Sequence, residues 1–333
     1  MKISTPKHYT AFSCVAAACE DSCCKDWEVV VDDDAATAYR ALPGALGDRL
    51  REVLRQEDGC TYMTVTEGRC PMWRQDGLCE IQRQLGHDAL CQTCRQFPRL
   101  EHDYGSFLEL GLEMSCPEAA RLLFAADAWE FSKESRPGCE EGDYESWCME
   151  ALLSSRETVR TFLNDISYSL PEKLEILLLY GYEVQNHLDG GDAPVFAPDI
   201  CLADSKKYAA EAGDIASVFS FFENLEILTE RWKNRLAQGA HCTASSDALL
   251  PFVRYCVERY WLQAVADYDL ISRVKFIIIA WVLLNAMGGD PVSTAQLFSK
   301  EIENDPDNLN AILDSAFTCP AFTDANLLAL LQC

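Results

Sequence analysis

The sequence predicts a mainly α protein in which a cysteine-rich, loop-rich part with a few short strands precedes an all-helical part. Ten of the 17 cysteines lie between residues 14 and 116. A stretch rich in proline, glycine and acidic residues runs from Arg136 to Asp143 and is typical of an exposed linker. Apolar residues recur at helical spacing almost throughout the chain beyond it. We therefore expect a metal-binding domain at 1–135 and a helical domain at 144–333.

Short strands are expected in the first domain, where apolar and polar residues alternate or β-branched residues cluster. Residues 35–57 are predicted to be helical, with a break at Pro43 and Gly44. Cys116-Pro117-Glu118 is predicted to open a helix that runs toward Phe131, because proline is favoured in a first helical turn. The predicted strands are Trp27–Val31, Cys60–Thr66 and Ser106–Met114.

The helical domain shows start signals and apolar faces. Ser169 with Glu172, and Ser293 with Gln296, have the spacing of capping boxes and predict helix starts. The apolar run Phe276–Leu284 is about half the length of a membrane span, so it predicts a buried helix and no transmembrane segment. Apolar residues that recur at helical spacing predict one buried helix face, formed by Val253, Cys256, Val257, Tyr260, Trp261, Ala264 and Val265.

The balance of acidic and basic residues indicates which kinds of partner the chain can bind. Lysine and arginine number 28 against 53 aspartates and glutamates, which gives a formal charge of −25. Nucleic-acid binding is not expected, because phosphate contacts need a basic face. The charge favours solubility and permits a basic partner, such as a lysine-rich protein surface. No secretory signal follows Met1, so we expect a cytoplasmic protein whose cysteines are reduced.

The clustered cysteines are the strongest chemical signal in the sequence. Thiolates are the ligands of iron–sulfur clusters and of tetrahedral zinc, and closely spaced pairs such as Cys91-x2-Cys94 suit either. Histidines are scarce, which favours an all-sulfur site without excluding a four-cysteine zinc site. A set of buried free thiols is the simpler alternative. The predicted metal ligands are Cys14, Cys19, Cys23, Cys24, Cys70, Cys79, Cys91, Cys94 and Cys116.

Other catalytic signatures are absent from the sequence. It contains no P-loop, no Gly-x-Ser-x-Gly and no glycine-rich nucleotide fingerprint after a strand. Arg95 and Arg99 stand beside the cysteines. They either neutralise an anionic cluster or bind a carboxylate or phosphate of a ligand.

The cysteine segments, taken together, resemble the flagellin lysine-N-methylase family. The resemblance continues more weakly through Asp269–Phe276 and Phe298–Asn308. The first cysteine group also resembles a wider family of iron- or zinc-chelating cysteine-cluster proteins. The resembling segments are Phe12–Cys14, Cys19–Trp27, Arg69–Pro71, Asp76–Ile81, Leu90–Arg99 and Ser115–Arg121.

This resemblance implies transfer of methyl groups from S-adenosylmethionine to flagellin lysines, with a [4Fe–4S] cluster as a second cofactor. Arg95 and Arg99 would then hold the carboxylate of S-adenosylmethionine, and Trp27 would lie over its sulfonium group. The chain departs from most radical S-adenosylmethionine enzymes, because Asp26 stands where a Cys-x3-Cys-x2-Cys motif needs its third thiol. The alternative is a non-catalytic metal-binding or electron-transfer protein with a helical partner-binding domain. The sequence identifies no catalytic base.

Overall fold

The computed structural model describes residues 1–126, 130–135, 142–240 and 247–332. The fold is mainly α, and within these residues the strands all lie before residue 136, as the sequence predicts. The strands are β1 (Lys2–Pro6), β2 (Val29–Val31), β3 (Leu54–Glu57), β4 (Cys60–Met63), β5 (Arg99–Asp103), β6 (Phe107–Leu112) and β7 (Phe131–Ser135). The helices are α1 (Lys7–Ala11), α2 (Asp33–Ala41), α3 (Gly44–Val53), α4 (Glu80–Leu85), α5 (Gln92–Gln96), α6 (Pro117–Ala125), α7 (Ser146–Leu163), α8 (Leu170–Leu188), α9 (Pro198–Tyr208), α10 (Ile215–Glu223), α11 (Glu230–Ala237), α12 (Leu250–Tyr260), α13 (Leu270–Met287), α14 (Pro291–Phe298), α15 (Pro306–Ser315) and α16 (Asp324–Leu331).

The strands form two small sheets. The larger sheet has the order β5-β6-β1-β7, with β1 parallel to β6 and antiparallel to β7. The smaller sheet has the order β2-β4-β3 and is antiparallel throughout. Most of the cysteine-bearing chain is therefore an excursion that leaves the larger sheet after β1 and returns to it at β5.

Two helix predictions in the first domain are too long. The segment predicted as helical to residue 57 ends at Val53, and β3 follows it. Asp58 and Gly59 both have positive φ and form the tight turn of a β3–β4 hairpin, a turn for which Asp-Gly is a strong signal. The helix predicted to run toward Phe131 ends at Ala125, and Phe131 begins β7, where pairing with β1 satisfies the backbone.

Of the two predicted capping boxes, one is present in the structure and the other is not. The box formed by Ser169 and Glu172 is present at the start of α8. The box predicted at Ser293 is wrong, because Asp290 caps α14 by accepting a hydrogen bond from the Ser293 amide. Gln296 is consequently free to point away from the helix start, and its amide binds the cysteine-rich part instead.

One large hydrophobic core is built around α13. The run Phe276–Leu284 lies within this helix and is buried, as predicted. Among the described helices, α13 has the length and hydropathy of a membrane span, but 89% of it is buried inside the protein. It is therefore a core helix. The predicted apolar face from Val253 to Val265 is buried too, on α12 and the 3₁₀ turn Trp261–Val265.

The boundary between the two predicted domains stays a prediction, and the packing across it is close. Met114, Ala120 and Leu123 belong to the same hydrophobic core as α13. Of the predicted linker, residues 136–141 lie outside the described residues, and Asp143 is exposed.

Candidate metal centre

The smaller sheet and its loops hold five of the nine predicted thiol ligands around one small core. Val31 on β2 and Met63 on β4 are buried in this core, together with Met72 and Leu90 from the loops. Burial of the apolar side chains pulls the cysteine-bearing loops inward, because the sheet alone offers them little surface. The thiols of this core group are Cys24, Cys70, Cys79, Cys91 and Cys94.

Backbone hydrogen bonds fix the conformation of the loops that carry the core group. The Cys70 amide donates to the Cys24 carbonyl over 2.8 Å, and the Trp73 amide donates to the Cys70 carbonyl over 3.0 Å. Trp73 also forms an antiparallel bridge with Cys79. Three thiols far apart in sequence are thus fixed to one another through the backbone and do not depend on a long flexible side chain for their position.

The short helix α5 brings the remaining two thiols together. Cys91 is the N-cap residue of α5, and Cys94 lies one helical turn further on, where the two thiols share a hydrogen bond. That bond lowers the pKa of Cys91 to about 7 and, together with burial, raises the pKa of Cys94. Burial, reinforced by neighbouring thiolates, raises the pKa of Cys70 to about 12. A cationic ligand would offset this cost of ionising thiols together.

A second group of thiols lies at the start of α6. Cys116 is the N-cap residue of this helix, and burial, reinforced by the Cys19 and Cys14 thiolates, raises its pKa to about 11. The Cys14 sulfur accepts a hydrogen bond from the Ala16 amide over 3.4 Å. The Cys14 and Cys116 thiolates both act to raise the pKa of Cys23. We call these four residues the helix group: Cys14, Cys19, Cys23 and Cys116.

The pair Cys23-Cys24 joins the two groups. The thiols hydrogen bond to each other, which raises the pKa of Cys23 and lowers the pKa of Cys24 to about 7. The Cys24 thiolate interacts with Cys70 and Cys79 of the core group, whereas Cys23 interacts with Cys14 and Cys116 of the helix group and also with Cys94. The nine thiols named by the sequence are therefore brought into two neighbouring sets. Cys60 is exposed at the start of β4 and belongs to neither set.

The thiols surround a region without meeting at one point. Within the described residues, no three cysteine, histidine, aspartate or glutamate side chains stand close enough to hold a single metal ion. A tetrahedral zinc site needs four ligands on one ion, so it would require these side chains to rearrange. Thiolates are donors to iron–sulfur clusters and to zinc alike, so the donor chemistry of the two groups suits either occupant.

Unpaired positive charge surrounds the thiols. Lys25 and Arg69 lie over the ring of Trp73, at 5.1 and 4.9 Å from its centroid. Neither cation forms an ion pair with any described residue, although the chain carries a large excess of carboxylates. The indole Nε1 of Trp73 is buried and has no hydrogen-bond partner among the described residues. An anionic metal–sulfur group bound by the thiols would balance the charge of these cations and accept a hydrogen bond from the indole.

A buried lysine connects the helical part to the thiol loop. Lys300 is 1% exposed, and its ammonium group lies 2.9 Å from Asp21 and 2.8 Å from Asp26. It belongs to a π-helical turn, Ser299–Glu303, that follows α14. Gln296 adds hydrogen bonds to Asp21 and to the Ser115 carbonyl, over 3.0 and 2.8 Å. π-Helical turns are rare and are frequent at functional sites.

The predicted cofactor residues have the following surroundings. Arg99 lies over the Phe12 and Tyr9 rings, at 5.1 and 5.8 Å, and forms no ion pair within the described residues. Arg95 is exposed beside Cys94 and is likewise unpaired there. The Trp27 ring faces the Lys300 ammonium group at 5.2 Å. Trp27 therefore makes a cation–π contact, but with a cation of the chain itself, and a sulfonium partner for it stays a prediction.

Sequence reasoning missed the link through Lys300, since its carboxylate partners lie about 275 positions away. The only signal was the weak family resemblance of Phe298–Asn308. It also missed the cavities. One, of about 710 Å³, lies between the larger sheet and α7 and is lined by Phe107, Tyr144 and the buried Arg156. Arg156 forms a two-point ion pair with Glu109 on its wall.

The fold and the thiol sets define the chain as a mainly helical protein with a cysteine-rich N-terminal part. It is 31% identical over 141 residues to the Lysine-N-methylase of Salmonella typhimurium, and equally identical to that of Salmonella choleraesuis. These matches cover 40% of this chain and 35% of each relative. The chain thus spans about a third of the length of those two proteins.

A third comparison covers most of the relative. The chain is 33% identical over 134 residues to the Flagellar biosynthetic protein FliU of Salmonella muenchen, which is 38% of this chain and 79% of that protein. The chain therefore belongs to the flagellar lysine-N-methylase family. No family model matches the chain, and no solved structure does.

Proposed function

We propose that this chain is an S-adenosylmethionine-dependent lysine N-methyltransferase that acts on flagellin and carries an iron–sulfur cluster. The observation that carries the proposal is membership in a family whose relatives are named for lysine methylation and flagellar biosynthesis. The nine thiols grouped in two sets supply the sulfur donors that such a cluster takes.

The chain's own residues suit a cluster as ligands and as counter-charges. The core group or the helix group would hold it, and a bound cluster would supply an electron or a binding site for the cofactor. Lys25, Arg69, Arg95 and Arg99 would balance its negative charge. The orphaned Trp73 N–H would donate to a sulfur atom and raise the reduction potential. Zinc is the alternative occupant.

Our candidate for the donor site is the cavity between the larger sheet and α7, which none of the predicted cofactor residues Arg95, Arg99 and Trp27 lines. Its volume of about 710 Å³ is within the range that holds cofactor-sized ligands, and it lies where the cysteine-rich and helical parts meet. Phe107 and Tyr144 offer aromatic faces for an adenine ring. Lys2 and Lys133 line the same cavity and form no ion pair within the described residues, so their charges suit a carboxylate.

The net charge of the chain supports the proposed acceptor, and the reduced state of its thiols supports the proposed compartment. A chain with a charge of −25 attracts lysine-rich surfaces, which favours a cationic acceptor such as an exposed flagellin segment. The described cysteines are all free thiols. A reducing cytoplasm keeps thiols in this state, and we place the protein there.

The test is methyl transfer with anaerobically purified protein. The protein is incubated with isotope-labelled S-adenosylmethionine, a reductant and a purified flagellin, and lysine methylation is followed by mass spectrometry. We expect labelled methyl groups on flagellin lysines and a brown protein that contains iron. Iron-loaded protein that adds no methyl group to flagellin would contradict the methyltransferase proposal and favour a metal-binding or electron-transfer module. A colourless anaerobic preparation with stoichiometric zinc and no iron would contradict the cluster.

A further inference from the structure

A groove of about 820 Å³ lies between α8, α9 and α16, within the helical part. Its wall is formed by aliphatic side chains, including Leu179, Ile200 and Leu328. The Cys201 thiol lies on the same wall and is buried. None of the nine predicted metal ligands and none of the residues around the donor cavity lines this groove.

The rim of the groove exposes large apolar side chains to water. Val195 is 65% exposed, Ile200 64% and Tyr208 61%. Ten large hydrophobic side chains of the described chain are exposed, and these three border one groove. Solvent exposure of such side chains forgoes favourable burial, and a contiguous patch marks a surface that binds a partner.

Carboxylates ring this apolar surface. Glu183, Asp204 and Asp324 line the groove, whereas no lysine or arginine of the described part of the chain does. Asp324 is held by the Tyr182 hydroxyl at 2.7 Å, and it also pairs with a buried lysine beneath the surface. Asp204 pairs with an exposed lysine on the next helical turn. Glu183 is exposed and forms no ion pair or hydrogen bond within the described residues.

We propose that this groove is a docking site for a lysine-bearing, apolar segment of the acceptor protein. Aliphatic side chains of the segment would cover Val195 and Ile200, and a lysine ammonium group would pair with Glu183. Lysine suits such a surface, because its aliphatic stem lies along apolar walls while its charge reaches a carboxylate. Only the identity of the partner, flagellin, rests on the proposed function.

Charge complementarity selects this occupant over the alternatives. A second copy of the chain would bring another strongly acidic surface to an acidic rim, and like charges would oppose the contact. An acidic peptide is disfavoured for the same reason. A cationic segment gains from both features of the groove, its apolar wall and its carboxylate rim.

Two substitutions remove these features at exposed positions, where folding is little affected. In the double variant, Ile200→Ser shortens the apolar wall and Glu183→Gln removes the free charge. The matched controls are Ile166→Ser, at a side chain that is 98% exposed and outside the groove, and Glu52→Gln, at an exposed helical glutamate of the cysteine-rich part. Binding of purified flagellin is measured without S-adenosylmethionine, so the readout does not depend on catalysis.

We expect the double variant to bind flagellin about tenfold more weakly, and the controls to bind within about twofold of the original chain. Binding should also weaken with salt, as screening reduces the attraction. Succinylated flagellin, whose lysines have become acidic, should bind poorly. Reductively dimethylated flagellin, whose lysines keep their charge, should bind well.

The same variants separate docking from catalysis. With intact flagellin the double variant should show a raised KM and an unchanged kcat, and methylation of a short lysine peptide should be unaffected. Flagellin that binds through the groove but is never methylated would support docking while the proposed function fails. The docking inference is wrong, while the proposed function stands, if the double variant binds and methylates flagellin as well as the controls do. If the original chain does not bind flagellin, the docking site and the proposed acceptor are contradicted together.

Discussion

The cysteine-rich and helical parts of this molecule are stabilised by different kinds of packing. The helical part is organised around α13, which is buried on nearly all sides by aliphatic and aromatic neighbours. The core of the smaller sheet is much smaller and has five thiols among or against its members. Of the described non-glycine residues with positive φ, four lie before residue 70 and one, Tyr268, lies in the helical part. The first part therefore combines costly turns with little apolar burial.

The two parts therefore draw their stability from different sources. A large core is stable through burial alone, whereas a small core with buried thiols gains from a bound metal. Ligand removal should consequently affect one part of the molecule and spare the other.

The largest expected effect follows from removing two thiols. Cys91→Ser with Cys94→Ser should eliminate most of the bound iron and unfold residues near 60–99, while the helical part keeps its structure. Hydrogen exchange followed by mass spectrometry measures this region by region. Cys60→Ser is the matched control, since that thiol is exposed and outside both groups. Iron content and exchange equal to those of the control would overturn the assignment of the core group.

A smaller effect is expected at the connection between the parts. Lys300→Met leaves Asp21 and Asp26 facing each other without their cation, and should cost about 3 kcal/mol of unfolding free energy. Denaturant unfolding measures the loss. Adding Asp21→Asn and Asp26→Asn should recover part of it, because the neutral side chains no longer repel. Additive costs in the triple variant would show that the three groups are not coupled.

The smallest effect is a dependence on pH within the helical part. Burial raises the pKa of Glu301 from 4.5 to about 7, although the Leu228 amide and the Thr229 hydroxyl bind its carboxylate. The folded state therefore holds this proton more tightly than the unfolded state does. The stability contributed is complete below about pH 4.5 and is lost as the pH rises through about 7.

Glu301→Gln removes that titration. Between pH 5 and 8 the original chain should lose about 2–3 kcal/mol more stability than the variant. Thermal unfolding across this range checks the difference. Equal slopes for the two proteins would mean that Glu301 stays ionised in the folded protein.

The sequence predicted what depends on local pattern. The helical character after residue 143, the burial of Phe276–Leu284 and the grouping of nine thiols all follow from spacing along the chain. Local signals were also overlooked, since Asp58-Gly59 marked the hairpin that replaced a predicted helix end. At α14 the predicted cap at Ser293 was displaced by Asp290, a better-placed acceptor three residues earlier.

The rest depends on contacts between distant segments. No local pattern pairs Lys300 with Asp21, or β1 with β6, because these contacts exist only once the helices and the sheet have packed. The docking groove is of the same kind, as its walls come from three helices separated in sequence. The division of the thiols into two groups likewise required the fold.

The position of β1 inside the larger sheet has a consequence for biosynthesis. Its two neighbours are synthesised late: eight of the nine thiols precede β6 in the chain, and all nine precede β7. Until then the strand lacks its partners, and Lys300, which pairs with Asp21 and Asp26 in the folded protein, has not yet been synthesised. The nascent chain thus passes through an open stage in which its thiols are accessible to delivered metal and equally to oxidants.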